Sequence, residues 1–335
     1  MKKMTISVYI IILIMSLILS YSCESTKGVT SDSLTATTEQ TETGENTPVE
    51  TIEGEELILN DKKVWISDIE QSKYSDTMKS GILAEAVTIE IGGNSIPLKK
   101  EEPVKFNTQY NYFIEGVLSE DITINTGKVT MTLKADTTIS FMRAFSGEIY
   151  IYGGYLLADS ELVIGIYRVD AAAQGNKYIR DILFGYKGDI IQVILKSDHT
   201  FIIKDERYTF SKGTRLSFIN EKASGGVLKN NRKVKIGKYE VTALADTSII
   251  SSLNFTEDGN IFMVMLAEPS TIKVGAQRIP LQAKKFLTFH YNSDNPHFAY
   301  IGKDITLTVS GEKKALKAGA KVEFDRNGNI IKVQE

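Results

Sequence analysis

An all-β fold built from tandem units of about 35 residues is predicted by three features of the 335-residue chain. Phenylalanines at 106, 141, 184, 218, 255, 289 and 324 are spaced 35, 43, 34, 37, 34 and 35 residues apart. Between them the apolar residues alternate with period two, as in Val129, Met131 and Leu133, the pattern of half-buried strands. No stretch after residue 54 carries a helical stripe. A unit of this length with three or four short strands cannot bury a face alone, so each must pack on its neighbours. An elongated array follows, either β-solenoid-like or a stacked antiparallel sheet. The alternative is a closed propeller of small blades, but blades usually need about 40–45 residues.

In chain order, the first element is an apolar run from Ile6 to Leu19 behind Lys2 and Lys3, of signal-peptide length. It ends in Leu19-Ser20-Tyr21-Ser22-Cys23, which contains the only cysteine of the chain. This segment resembles the lipobox of bacterial lipoproteins, and in its departures is similar to the relaxed lipoboxes of spirochaetes. Leu19 stands four residues before the cysteine rather than three, and Tyr21 is bulky. The resemblance implies that residues 1–22 are removed and that Cys23 carries acyl chains such as palmitate. At about 0.8 kcal/mol per buried methylene, two or three chains give stable anchoring in the cell envelope, periplasmic or surface-exposed.

Residues 23–54 hold seven acids against Lys27, and twelve Ser or Thr lie between 24 and 54 with no aromatic residue. Such a stretch buries too little apolar surface to offset its ordering entropy and reads as a disordered tether. Its random-coil reach is roughly 30 Å. The net charge of −3 therefore divides into +2 for the leader, −6 for the tether and +1 for residues 55–335. A near-neutral body argues against a nucleic-acid partner.

The repeat body, residues 55–335, begins with a partial unit, Leu57 to Trp65. Three landmarks then recur. The first is a leucine followed by small or charged residues, as in Leu83, Leu118, Leu157-Ala158-Asp159, Leu195, Leu228 and Leu266, with Ile301 filling the slot last. The second is an alternating strand broken by a turn, as in Val87 to Gly93 or Ile272 to Gly275. The third is a strand pair ending in the phenylalanine, as in Ile96-Pro97-Leu98 through Phe106. Asp258-Gly259 and Asn327-Gly328 read as two-residue hairpin turns that need positive φ. Pro97 and Pro280 fall in equivalent slots, as expected of a position with no ladder bond to donate. The long 43-residue interval contains Asp170 to Asn176, which reads as a loop insertion.

Chemistry should appear where the repeat breaks. His290, Asp294 and His297 share a rebuilt loop, but no compact ligand spacing is present and the loop reads as solvated. Asp325 to Asn329 echoes a calcium loop without the closing bidentate acid, and a hairpin turn is required there in any case. Phosphate-cradling and nucleophile-elbow motifs are absent. Recurring acids, such as Asp121 and Asp159, fall at turns and read as structural. Tyr150 and Tyr152 project on one face with Tyr155 nearby, a possible surface for stacking on sugar rings or anchoring a protein. The expectation is a non-catalytic binding or scaffold lipoprotein, with no cofactor or metal, a membrane attached through Cys23, and a protein or carbohydrate ligand. Two other functions stay open: envelope lipid or lipopolysaccharide transport, since the strand periodicity is loosely similar to the β-jellyroll of bridge-like transporters, and a hydrolase on a propeller.

Overall fold

The computed structural model describes residues 54–335 except 175–178 and 292. The leader, the tether, Cys23 and part of the inserted loop lie outside the described residues. The body is all β, with 31 strands and no helix among the described residues.

Each of seven units contributes two hairpins in different layers. One is a cover hairpin: Val87–Ile91 with Asn94–Leu98, Ile122–Asn125 with Thr130–Leu133, Ser160–Ile164 with Tyr167–Ala171, His199–Ile203 with Glu206–Phe210, Arg232–Ile236 with Tyr239–Ala243, Ser270–Val274 with Gln277–Leu281, and Ile305–Val309 with Glu312–Leu316. The other joins a single antiparallel meander. It starts with Glu55–Leu59, Lys62–Gln71 and Met78–Leu83, then takes Pro103–Asn107 and Tyr112–Val117 from unit 1 and Thr138–Arg143 and Ile149–Gly154 from unit 2. Ile182–Phe184 and Ile190–Ile194 of unit 3 follow, then Arg215–Ile219 and Lys222–Gly226 of unit 4. Units 5 to 7 add Leu253–Phe255 with Ile261–Met265, Phe286–Phe289 with Pro296–Tyr300, and Lys321–Phe324 with Ile330–Gln334. The last cover hairpin joins this sheet through one parallel bridge, Val309 to Ile330, which completes its nineteen strands. One continuous meander, with its first and last strands unpaired to each other, is an open stacked array. A propeller would divide it into separate blades.

The expected strand pair ending in phenylalanine is a correction. Leu98 and Phe106 do not share a ladder; the chain crosses between layers from one to the other. The crossing is a four-residue turn whose third residue has positive φ: Glu101 (61°), Asp136 (56°), Gly213 (72°), Lys284 (56°) and Gly319 (93°). That residue donates its N–H to the carbonyl of the slot residue that began the unit, in Glu101 to Leu83 (2.6 Å), Asp136 to Leu118 (2.9 Å), Gly213 to Leu195 (2.7 Å), Lys284 to Leu266 (2.8 Å) and Gly319 to Ile301 (2.8 Å). The slot N–H returns a bond to the next carbonyl of the same crossing, as in Leu118 to Thr137 (3.0 Å). The slot leucine of unit 3 is Leu156, which is 2% exposed, and not Leu157, which faces solvent; the tandem leucines hide this in the sequence.

A third bond is added in units 2, 3, 4, 5 and 7. The residue three after the slot accepts from the backbone fourteen positions on: Asp121 from Ala135, Asp159 from Ala173, Asp198 from Lys212, Asn231 from Ala245 and Asp304 from Ala318, all at 2.7 to 2.9 Å. The structural reading of these acids holds. Lysines add ion pairs, Lys196 to Asp159, Lys229 to Asp198 and Lys317 to Asp304. The hydrogen bond from Ala173 holds the Asp159 carboxyl below its ordinary value, with Lys196 adding to it.

All seven landmark phenylalanines are buried and each sits at a β-bulge, where the ladder shifts just before it. The extra residue belongs to the facing strand: Ile114, Tyr152, Ile191, Ser224, Phe262, His297 and Ile331. A bulge increases local twist and rephases the strand, so Ile151 and Gly154 can both face the core although they are three residues apart.

Turn chemistry is distributed differently from expectation. Two-residue turns close cover hairpins, with Gly92 and Gly93 both at positive φ, as are Lys204 and Asp205. Asp258-Gly259 and Asn327-Gly328 lie instead in five-residue loops, between Phe255 and Ile261 and between Phe324 and Ile330. The bulge beside the phenylalanine leaves the strands too offset for a two-residue closure. Asp325 accepts from the backbone N–H of Asn327 and of Asn329, so the calcium-like segment is that turn. Pro97 and Pro280 face Thr88 and Thr271 at matching register.

The layers fit by size. A Cβ on Gly154 would stand 2.9 Å from Leu133, one on Gly116 3.0 Å from Leu98, and one on Gly226 2.8 Å from Phe210. At the equivalent positions units 3 and 5 carry Ala171 with Val193 and Ala243 with Val264, small above large instead of large above small. Gly154→Val should therefore destabilise the body by about 1–3 kcal/mol through overpacking. Gly154→Val combined with Leu133→Ala, which copies the pair of unit 3, should recover most of that loss in urea denaturation, although Leu133→Ala alone costs about 2–5 kcal/mol. Additive losses in the double variant would refute the size rule.

Candidate functional site

Residues between the core positions of each sheet strand point away from the cover hairpins. One cross-strand row on this bare face runs from Ser80 and Lys105 through Glu115, Ser140, Gly153, Leu183, Gln192 and Ser217 to Lys332. No described element packs over it. Most of the row is ordinary sheet surface, with one exception at units 2 to 4.

There the unit 3 crossing is lengthened, and Asp181 takes the place of a backbone clamp. Its carboxylate accepts from the Leu156 N–H at 3.1 Å, as the Ser252 hydroxyl does for Leu228 in unit 5 at 3.0 Å. Asp181 is fully buried. The same insertion carries Arg180 onto the bare face, where its guanidinium meets the Glu115 carboxylate. Lys105 reaches the other oxygen of Glu115 at 2.8 Å, and the Ser140 hydroxyl is 3.5 Å away. Burial alone would push the Glu115 carboxyl up, but Arg180 and Lys105 outweigh it and hold the group below its ordinary value.

The three tyrosines gather around this pair. Tyr152 is the extra residue of its bulge, beside Arg180 and Arg215, and burial pushes its hydroxyl up. Tyr155 is 4% exposed, next to Arg180, Asp181 and Glu115, so it belongs to the floor of the cluster and not to an exposed surface. Tyr150 pairs with Met142 across the strands, its hydroxyl 3.8 Å from the sulfur, and its ring meets Tyr186 edge to face at 6.3 Å. Burial pushes Tyr150 up to about 12. Tyr186 and Phe145, from the turns of units 3 and 2, are exposed at 50% and 89%. The chain matches no protein-family model, no curated protein and no solved structure.

Sequence reasoning missed Glu115, Arg180 and Arg215, which lie 65 and 35 residues from one another in the chain. The loop insertion was the available signal, since it is the one long break in the period. His290 and His297 do come together, ring to ring at 4.7 Å, but His290 Nε2 bonds the Phe324 carbonyl at 2.8 Å. Asp294 turns to the Gly237 turn of the preceding cover hairpin, and His290 and Asp294, but not His297, line a cavity of about 430 Å³ with Lys204, Glu206 and Tyr208. Among the described residues no three His, Cys, Asp or Glu side chains are arranged to hold a metal.

The charge cluster makes a pH prediction. A depressed carboxyl stabilises the fold above its unfolded-state value, and that contribution is lost as pH falls through the folded value. Glu115→Gln should lower stability at pH 7 by about 1–2 kcal/mol, less than a fully buried pair because the side chains are partly exposed. The gap to the parent protein should stay open above the ordinary glutamate value of 4.5 and close below it. A gap that persists unchanged in acid would show that Glu115 acts through packing alone.

Proposed function

We propose that the protein is a lipid-anchored envelope lipoprotein whose repeat body is a non-catalytic binding module, with the bare sheet face of units 2 to 4 as its ligand surface. The observation that carries this reading is the aromatic and charged cluster around Tyr150, Tyr152 and Arg180, at the point where the repeat is interrupted by an inserted loop. A structural repeat has no need of such an interruption, and functional residues concentrate on loops placed by a rigid scaffold. Partly buried tyrosines supply contact area at low entropy cost. A binding face is favoured over a transport conduit because the space between the layers is filled by side chains such as Phe106, Phe141, Phe210 and Phe255. It is favoured over a hydrolase because Glu115, the carboxylate on the bare face, is held by two cations and lies below its ordinary value, not raised as a general acid would be.

In this reading residues 1–22 direct export, Cys23 is the acylated residue, and residues 24–54 hold the body clear of the lipid headgroups. Cys23→Ala should abolish incorporation of labelled palmitate and move the protein from the detergent to the aqueous phase on partitioning; unchanged partitioning would reject the anchor. For the face, Tyr150→Ala with Tyr152→Ala should remove binding to carbohydrate or protein ligands found by array screening, without loss of the cooperative unfolding transition. Retained binding in that variant would place the ligand surface elsewhere.

A further inference from the structure

One cation of the cluster has no counterpart. Arg215 begins its strand in unit 4 and projects to the bare face two residues before Ser217. Its side chain makes no hydrogen bond and no ion pair among the described residues, where its fully buried Nε is without a partner. Its neighbours are Tyr152 and a second cation, Arg180, whose own Nε is likewise unpartnered while its terminal nitrogen is held by Glu115. A half-buried guanidinium loses hydration that a carboxylate or an equivalent oxyanion would normally replace. Here the Glu115 carboxylate is already shared by Lys105 and Arg180, and the Asp181 carboxylate accepts from the Leu156 N–H.

Resting on the reading of this face as a binding surface, we propose that Arg215, with Tyr152 and Arg180, receives the carboxylate or sulfate of an acidic saccharide. Arg supplies a planar fork that matches an oxyanion with two parallel bonds. The surroundings favour a sugar over an acidic peptide. Gln192 and Ser217, paired across the strands beside Arg215, carry amide and hydroxyl groups with no side-chain hydrogen bond among the described residues, suited to ring hydroxyls. The edge-to-face pair Tyr150 and Tyr186 supplies ring surface on the same face. A peptide strand would instead need an unpaired sheet edge, and every strand here is paired on both sides.

The test uses the full chain in detergent, titrated calorimetrically with a heparin-derived disaccharide and with cellobiose as the neutral control. Binding of the acidic disaccharide at least tenfold tighter than cellobiose is expected. Arg215→Met should abolish that preference while leaving the thermal midpoint unchanged or higher, because the variant keeps the side-chain volume and removes an unpaired charge. If Arg215→Met lowers the midpoint markedly, the arginine is structural and the assignment fails. Equal binding of the acidic and neutral sugars, both weakened by Tyr150→Ala, would overturn the anion assignment and leave the binding face intact. An Arg215-dependent preference for a poly-glutamate peptide over the disaccharide would overturn the saccharide. Absence of any binding to either sugar, with Tyr150-dependent binding of a protein ligand, would do the same.

Discussion

The bond between slot residue and crossing turn, two-way through the backbone in units 1, 2, 4, 6 and 7 and made by Asp181 or Ser252 in units 3 and 5, is the contact on which the rest of the structure depends. A cover hairpin leaves the sheet at Leu118, for example, and returns at Asp136 and Thr137, where the backbone of Leu118 gives and takes a bond. This closes a loop of about twenty residues at its base, and the entropy of closing it rises only slowly with its length. Once the base is fixed, the hairpin can lie only over its own sheet strands, and the phenylalanine at the bulge is carried beneath it. The positive-φ residue at the third crossing position is the backbone cost of that geometry, carried in three units by Glu101, Asp136 and Lys284 and in two by glycine.

Because the slot N–H of every unit is tied to its crossing, by backbone or by a side chain, the hairpins above it are free to differ. Large cover residues over glycine in units 1, 2 and 4 exchange for alanine over valine in units 3 and 5, keeping the volume of the layer nearly constant. The sheet itself grows by simple antiparallel addition, each unit donating two strands. Neighbouring units are also stitched at their turns: Asn94 bonds the backbone of Asn125, Thr126 that of Gly188, and Gln277 that of Thr308. Stability in such an array is close to a sum of unit and interface contributions, so one unit can be modified with little effect on distant ones.

Unit 3 uses that freedom. Its crossing is too long for the backbone clamp, and Asp181 takes over by accepting from Leu156, which releases the preceding residues to present Arg180 on the bare face. The extra length thereby turns a structural connection into a means of placing charge beside aromatic side chains. The bulge does related work for Tyr152, whose position in the facing strand is unpaired and so can carry a large side chain without disturbing the ladder. His297 occupies the same repeat position in unit 6, where the bulge brings it against His290.

The period of the phenylalanines, the period-two alternation and the long interval between Phe141 and Phe184 were enough to establish an all-β repeat body and to point to the lengthened crossing of unit 3, whereas the lengthened crossing of unit 5, between Ala243 and Leu253, was hidden by a nearly regular spacing. These features are local: burial of a strand face imposes alternation, and identical units impose spacing, whatever their neighbours do. The division of each unit between two layers was not legible, because a crossing turn with positive φ at Glu101 or Asp136 has no residue signature when glycine is not required. Nor could the leucine slot at Leu156 be told from Leu157, since only burial separates them. Only the tertiary structure brought Glu115, Arg180 and Arg215 onto one face and left Arg215 without a counter-ion among the described residues, for a charge pair is decided by distance in space and the segments that carry these residues are neighbours only through the sheet.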